Sequence, residues 1–463
     1  MAEKHLINEP RTVIDQQITS WLEDQHCPGV SVALIDGKDI IFRKGFGNRQ
    51  LVPKKPATDE TIYAIGSSTK PFSATAVMQL VEEGKLNLDD PVSTYVPYFE
   101  DIQDDPITIH ELLTHTSGMP QDDVATILIC EEIFDIELGP TIDDWDSFRK
   151  YVNGTSHRRR QDVDRCIYYN SGYVILSRIL ETVTDTPFAN RVKETLLEPL
   201  DMNSATFDAD VITNKSDDVM TPYYHNEDEM QAATLPDSPL FEAPGGLLAS
   251  VSDLANFLSA WVTMDIPLKS KWCEKMCEPT GVYKQLVDGT EYNYGCGWIR
   301  RPFGDDVLIG HGGSTGVSAS YIGFLKEHGL GVAICCNTQP SNSPETLAIE
   351  LLASLTDTDI VSVLPQRAIE EKVNQIIGTY TSYNNIQQAE VEWTGEHLKL
   401  NHTTPISNDK LQLMPTTLNA SEYTFQTIES DGERKTVEFF LTSDEVELLM
   451  DSILLRRSED ADR

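Results

Sequence analysis

Ser67 and Lys70 stand three residues apart in Ile65-Gly66-Ser67-Ser68-Thr69-Lys70-Pro71-Phe72, ahead of an apolar run. If this stretch opens a helix, the hydroxyl and the amine share one face, a turn apart. An amine kept neutral by burial can take the hydroxyl proton and turn the serine into a nucleophile. The helix N-terminus adds backbone N–H groups and positive dipole where an oxyanion would form. Gly66 permits a tight entry, and Pro71 is tolerated in a first turn whose N–H groups lack intrahelical partners. The spacing alone is weak, because Ser147 with Lys150 and Ser407 with Lys410 repeat it.

The elements around the pair follow from periodicity. Val13, Ile14, Ile18, Trp21 and Leu22 predict a helix over 12–26, ended by Pro28-Gly29. Val30 to Ile35 and Ile40 to Phe42 predict two strands joined by Asp36-Gly37-Lys38-Asp39. Ala74, Val77, Met78, Leu80 and Val81 predict an amphipathic helix that stops at Gly84. From about Lys85 to Pro239 the chain reads mainly as helix and loop, with an excursion over 121–165 that is first acidic and then basic at His157-Arg158-Arg159-Arg160. His110 and His115 read as buried structural histidines. Beyond Pro244-Gly245-Gly246-Leu247-Leu248, a helix from Val251 to about Thr263 is capped by Ser252. Strands are expected near 294–300, 306–310, 318–325 and 330–336, then a helix from Ser343-Pro344 to Leu355. Residues 357–366 read as a linker. At least six short strands follow it: 390–393, 397–400, 423–428, 437–441, 446–450 and 453–455.

Composition narrows the function. The 463 residues carry a net charge of −38, which argues against nucleic acid and anionic membrane as partners. Eight cysteines without framework spacing are expected to be reduced thiols. Cys273 and Cys277 stand at helical spacing with nothing nearby to complete a zinc site, so no metal and no cofactor is expected. Met1 to Asn8 has no apolar run, and no window is long enough to span a bilayer; a cytoplasmic protein is expected.

Two further segments join the first pair in order: Tyr168-Tyr169-Asn170, followed by Ser-Gly-Tyr and an apolar helix, and His311-Gly312-Gly313-Ser314. With Ser67-x-x-Lys70, they make the chain resemble the serine β-lactamase and penicillin-binding-protein superfamily over about 10–356. The resemblance is to its class C β-lactamase-like branch, peptidase family S12, which includes D-aminopeptidases, D,D-peptidases and carboxylesterases. Leu112 to Gly118 and Gly245-Gly246-Leu247 look like connecting segments of that family. The tail, opening at Ile377-Gly378-Thr379-Tyr380, resembles the lipocalin-like C-terminal domain of some archaeal serine peptidases that self-assemble.

The resemblance implies an α/β (α+β) β-lactamase-like fold over 1–360: an antiparallel sheet flanked by helices, plus a helical region. A small antiparallel β-barrel would follow over 366–463. It implies a serine hydrolase acting through an acyl-enzyme on small-molecule or short-peptide substrates, and a possible homo-oligomer. Ser67 would be the nucleophile. Lys70 and Tyr168 would share the proton, with either as base and Tyr168 as shuttle to the leaving group. Asn170 would bond Lys70 and a substrate amide. Gly312 and Gly313 would let substrate lie along the strand, and the N–H groups of Ser67 and Ser314 would form the oxyanion hole. His311 departs from the lysine of typical β-lactamases. Its hold on a substrate carboxylate should be weaker and pH-dependent, which favours peptidase or esterase work over penicillin hydrolysis. The excursion over 121–165 is expected to wall the pocket, and the barrel to restrict access to it.

Overall fold

The structure, a computed structural model, describes residues 11–458 except 103–104, 122–123, 161–164, 209, 211–217, 227–228, 236–237, 287–288, 395–396, 419–421, 429–433, 443–444 and 451. The chain divides into two compact units, Met1–Asp359 and Ile360–Arg463.

The first unit is built on a nine-stranded antiparallel sheet. Its strands run, from one edge, Lys55–Pro56, Asp39–Gln50, Gly29–Asp36, Leu330–Cys336, Ala319–Leu325, Asp306–Ser314, Ile299–Phe303, Glu291–Tyr294 and Gly281–Gln285. Every residue of Ala319–Leu325 and Leu330–Cys336 is buried. Such strands read as continuous apolar runs rather than alternating ones, because both faces are covered. The helices Val251–Val262 and Pro344–Thr356 pack against them. The helical region holds the buried helix Lys70–Glu82, whose residues 70–81 are all inaccessible, crossed by Asn170–Thr184. Expected to be amphipathic, Lys70–Glu82 is instead buried on every side, its Ser73 and Thr75 hydroxyls donating to the Ala243 and Pro71 carbonyls, and it carries the Ser67 turn into the middle of the unit.

Several local expectations are corrected. The Val251–Val262 helix is capped by Ser250, not Ser252. Ser250 has extended backbone and accepts the Asp253 N–H, while the Asp253 carboxylate returns to the Ser250 N–H at 3.2 Å. The region 85–239 also contains a hairpin, Tyr223–Asn226 with Glu229–Ala232. The strands Gly281–Gln285 and Glu291–Tyr294, largely polar at the sheet edge, add to those expected. The 357–366 stretch, read as a linker, spans the boundary between the two units and contains helix. Asp357 closes the preceding helix in a left-handed conformation, Ile360–Val363 forms a helical turn, and Pro365 starts the helix Pro365–Asn374. All eight cysteines are free thiols.

The second unit is a closed barrel of eight antiparallel strands: Gly378–Thr381, Gln388–Trp393, Leu398–Thr403, Asn408–Leu418, Glu422–Ile428, Arg434–Leu441, Val446–Met450 and Ile453–Arg457. Alternate residues such as Val391, Leu398 and Leu400 fill its interior, with Val373 and Ile376 from the preceding segment. Gly378–Thr381 and Asn408–Leu418 are the two strands the sequence pattern missed. The second contains Pro415, where the ladder to Glu422–Ile428 slips by one residue.

Candidate active site

Ser67 lies in a 3-10 turn, Gly66–Thr69, that runs directly into the helix beginning at Lys70. Gly66 enters the turn at φ +52, and a Cβ there would stand 2.6 Å from the Ser314 nitrogen. A Cβ on Gly313 would stand 1.9 Å from the Ile65 carbonyl oxygen and 2.8 Å from the Ser68 nitrogen. The end of the Asp306–Ser314 strand is thus pressed backbone-to-backbone against the serine turn. Ser68 Oγ donates to the His311 carbonyl at 3.0 Å, and Ser320 Oγ lies 2.7 Å from the Ile65 carbonyl oxygen, locking the two together. On the other side, Leu247 N–H donates to Thr69 Oγ1 and Ile65 N–H to the Leu247 carbonyl.

Lys70 is fully buried, and Nζ has three oxygen neighbours: Ser67 Oγ at 3.0 Å, Asn170 Oδ1 at 2.8 Å and the Pro244 carbonyl at 2.7 Å. Burial holds its pKa well below the ordinary lysine value. A neutral amine has two N–H donors and one lone pair. The Pro244 carbonyl can only accept, and Asn170 presents its amide oxygen, so the two N–H bonds go there. The lone pair then faces Ser67, whose O–H can donate.

Tyr168 packs its ring 4.8 Å from Lys70 Nζ. Burial raises its pKa, and the Ser67 hydroxyl beside it pulls the value part of the way back. The phenol therefore keeps its proton under conditions in which Lys70 has lost its own. Asn170 starts the helix Asn170–Thr184, which fixes its amide against Lys70.

His311 is buried with both ring nitrogens engaged. Nδ1 is 2.6 Å from the Gly312 carbonyl oxygen and Nε2 is 2.8 Å from the Tyr294 hydroxyl. The carbonyl can only accept, so Nδ1 carries the proton and Nε2 accepts from Tyr294. Burial, then Lys70, push its pKa down to about 3. Of the neutral and charged forms open to a histidine near pH 7, burial favours the neutral one, on a ring turned inward. Gly312 and Gly313 follow it on the strand and are half-buried, and Ser314 at the strand end is exposed.

Three aromatic groups that sequence reasoning did not assign to the site also surround Lys70 and Tyr168: His115, Tyr173 and Tyr294. His115 lay in a segment already singled out, Leu112 to Gly118, and Tyr173 in the Ser-Gly-Tyr that follows Asn170. Tyr294 was expected at the start of a strand over 294–300 and instead ends the strand Glu291–Tyr294, next to the sheet edge. Of the basic run, Arg159 is a structural residue: its side chain is 7% exposed and faces Asp105 and Glu111, and its Nε donates to the Ser117 carbonyl. The excursion contributes the helix Val124–Phe134, whose Ile129 and Phe134 stand closest to Gly316, just beyond the strand end. Among the described residues no cluster of His, Cys, Asp and Glu is arranged to hold a metal, and no helix is long and apolar enough to cross a membrane.

The family model described as Beta-lactamase matches residues 14–357, and the Pab87 octamerisation domain model matches 361–456. The structure of the octameric penicillin-binding protein homologue from Pyrococcus abyssi is 30% identical, with a TM-score of 0.86 over 97% of this chain and 100% of that one. Protein flp of Staphylococcus aureus (strain MW2) is 25% identical over 78% of this chain and 70% of its own length. A D-stereospecific amidohydrolase from Streptomyces sp. is 21% identical over 73% of this chain and 97% of that one, with a TM-score of 0.58, a likeness of fold.

Proposed function

Because the chain belongs to the Beta-lactamase family of serine hydrolases, we propose that it cleaves amide or ester bonds of small substrates through an acyl-enzyme on Ser67, as a peptidase of the D-aminopeptidase or D,D-peptidase kind. The observation that carries this is the coordination of Lys70. Two acceptors that cannot give up a proton leave the amine's lone pair for the Ser67 hydroxyl.

Ser67 Oγ loses its proton to Lys70 and forms a bond to the substrate carbonyl carbon. The carbonyl electron pair moves onto oxygen, between the N–H groups of Ser67 and Ser314. As the carbonyl re-forms, the bond to the leaving amine or alcohol breaks, and Tyr168 gives that group a proton. Tyr168 is refilled from Lys70. Water then attacks the acyl ester by the same route in reverse, releasing the acid and Ser67. The depressed Lys70 and elevated Tyr168 pKa values suit these roles, base and acid respectively. Asn170 holds Lys70 and offers its remaining amide group to a substrate carbonyl.

The neutral ring of His311 gives a substrate carboxylate no fixed cation from that side chain, which supports aminoacyl amides and esters over penicillins. The half-exposed Tyr283, 6.0 Å ring to ring from Tyr168, gives the rim an aromatic surface. The barrel supports self-association. Its match to the Pab87 octamerisation domain model, and the octameric state of the Pyrococcus abyssi homologue, are what support this reading.

A fluorophosphonate probe should label wild type and not Ser67→Ala. A panel of D- and L-aminoacyl amides, p-nitrophenyl esters and a cephalosporin should show turnover of amides or esters well above the cephalosporin. Equal labelling of the two proteins would leave a non-catalytic scaffold, and cephalosporin turnover above the others would make the chain a β-lactamase. Sedimentation of wild type at the mass of one 51.8 kDa chain would overturn the self-association.

A further inference from the structure

His115 sits 53 residues before Tyr168 (168 − 115) in the turn after the Ile109–Leu113 helix, fully buried and at φ +58. That left-handed conformation is uncommon outside Gly, though His is among the residues that adopt it more readily. Its main chain and its side chain both reach the Tyr168 segment. The Ile167 N–H donates to the His115 carbonyl at 2.9 Å, and the Tyr169 N–H donates to His115 Nδ1 at 3.0 Å. The imidazole also lies against the Tyr168 ring, centroids 4.3 Å apart and planes at 38°. Tyr294 meets its edge at 4.6 Å, and Tyr173, which donates its hydroxyl to the Leu113 carbonyl, lies at 5.3 Å.

We propose that His115 is a positioning residue for Tyr168: it grips the peptide groups on both sides of that tyrosine and fixes the plane of its phenol beside Lys70 and Ser67. A structural histidine would need only burial. This one accepts a backbone proton at Nδ1, which places its own proton on Nε2, and that buried Nε2 has no hydrogen-bond partner among the described residues. The donor is left unsatisfied while the acceptor is used, so the acceptor and the ring face are what the position requires. Burial, Lys70 and His311 together keep the ring neutral. The groups facing it are that amine, that imidazole and the phenols of Tyr168, Tyr173 and Tyr294, and none of them supplies a carboxylate to charge it.

The inference rests on Tyr168 as donor to the leaving group, so its test reads leaving-group protonation rather than overall rate. Two esters of one acyl group are compared: a p-nitrophenyl ester, whose leaving group departs unprotonated, and an alkyl ester, whose leaving group must be protonated. Gly and Asn both accept the backbone of position 115, and only Asn offers an acceptor near Nδ1. His115→Gly should lose about 100-fold in the single-turnover acylation rate on the alkyl ester and about threefold or less in that rate on the p-nitrophenyl ester, with substrate affinity little changed. His115→Asn should recover the alkyl ester to within about fivefold of wild type, since the peptide grip returns without the ring. Tyr168→Phe should show the same contrast between esters as His115→Gly.

Equal losses on the two esters, or an Asn variant no better than the Gly variant, would overturn the role of His115. A Tyr168→Phe enzyme with no contrast would overturn the role of Tyr168, and the inference with it. If the Gly variant does not fold, 15N NMR of histidine-labelled wild type decides, with the His115 signal identified by its loss in His115→Asn. A neutral Nε2–H ring from about pH 5 to pH 9 is expected. An Nδ1–H ring, or one that titrates in that range, would refute the grip on Tyr169.

Discussion

The core of the first unit encloses an amine, two imidazoles and a belt of phenols. The core of the barrel is Val, Leu, Ile, Phe, Met and Ala, with two tyrosines. Both barrel tyrosines are satisfied locally: Tyr380 donates to the Ile376 carbonyl at 2.6 Å and Tyr423 to Gln375 Oε1 at 3.2 Å. Around Ser67 the satisfaction is partial. Lys70 loses its charge, and His115 keeps an orphan Nε2. Buried polar groups left short of partners cost stability and are retained where chemistry uses them. Among the described residues of the barrel unit His397 Nε2 is the one such atom, outside the apolar cluster, and the strands follow the period-2 rule. One unit is shaped by reactivity, the other by closure.

That contrast can be broken at four places. Lys70→Met should lower kcat/KM by about 1000-fold or more, as loss of a proton acceptor does, while Tm holds or rises because a desolvated amine is replaced by an apolar chain. A clear fall in Tm would mean that the amine stabilises the fold. Leu400→Ala, at a fully buried barrel position, should cost about 2–5 kcal/mol in denaturant unfolding with kcat/KM unchanged.

The pH profile is the third. Only the free amine accepts a proton, so kcat/KM should rise with pH through a pKa well below the ordinary lysine range. The Tyr168 phenol, its pKa raised, should give no falling limb until above its ordinary value. His311, already neutral, should add no step near pH 6–7. A step there that vanishes in His311→Gln would contradict its inward, neutral state. The smallest effect belongs to Ser320→Ala, about 1 kcal/mol of stability and less than tenfold in kcat, because it loosens the strand from the serine turn without touching the reacting atoms.

Legibility followed the range of the forces involved. The Ser67 turn and its helix could be read because spacing and apolar pattern act within a few residues. So could the central strands, whose apolar runs reflect cover on both faces. Asn408–Leu418 could not: Pro415 and the polar residues around it look like loop, and only the neighbouring strands hold it extended. Ser250 and Ser252 are equally good caps on paper, and extended backbone at Ser250 decided between them. His115 and Tyr294 were the harder losses. Their meaning lies in contacts to residues distant in sequence, and a single chain does not record such contacts. In the basic run at 157–160, the structural part played by Arg159 could not be read because its acidic partners, Asp105 and Glu111, lie far upstream.

Gly66 and Gly313 are the spacers of this machine. The gap between the strand end and the serine turn is set by two missing methyl groups, one of which would land 1.9 Å from the Ile65 oxygen. That makes the pair a tolerance specification for anyone wishing to re-tool the enzyme. Libraries that vary Ile129, Phe134 and Tyr283 would change what the cleft admits, whereas a single carbon added at 66 or 313 would throw the bench out of true before any substrate arrived.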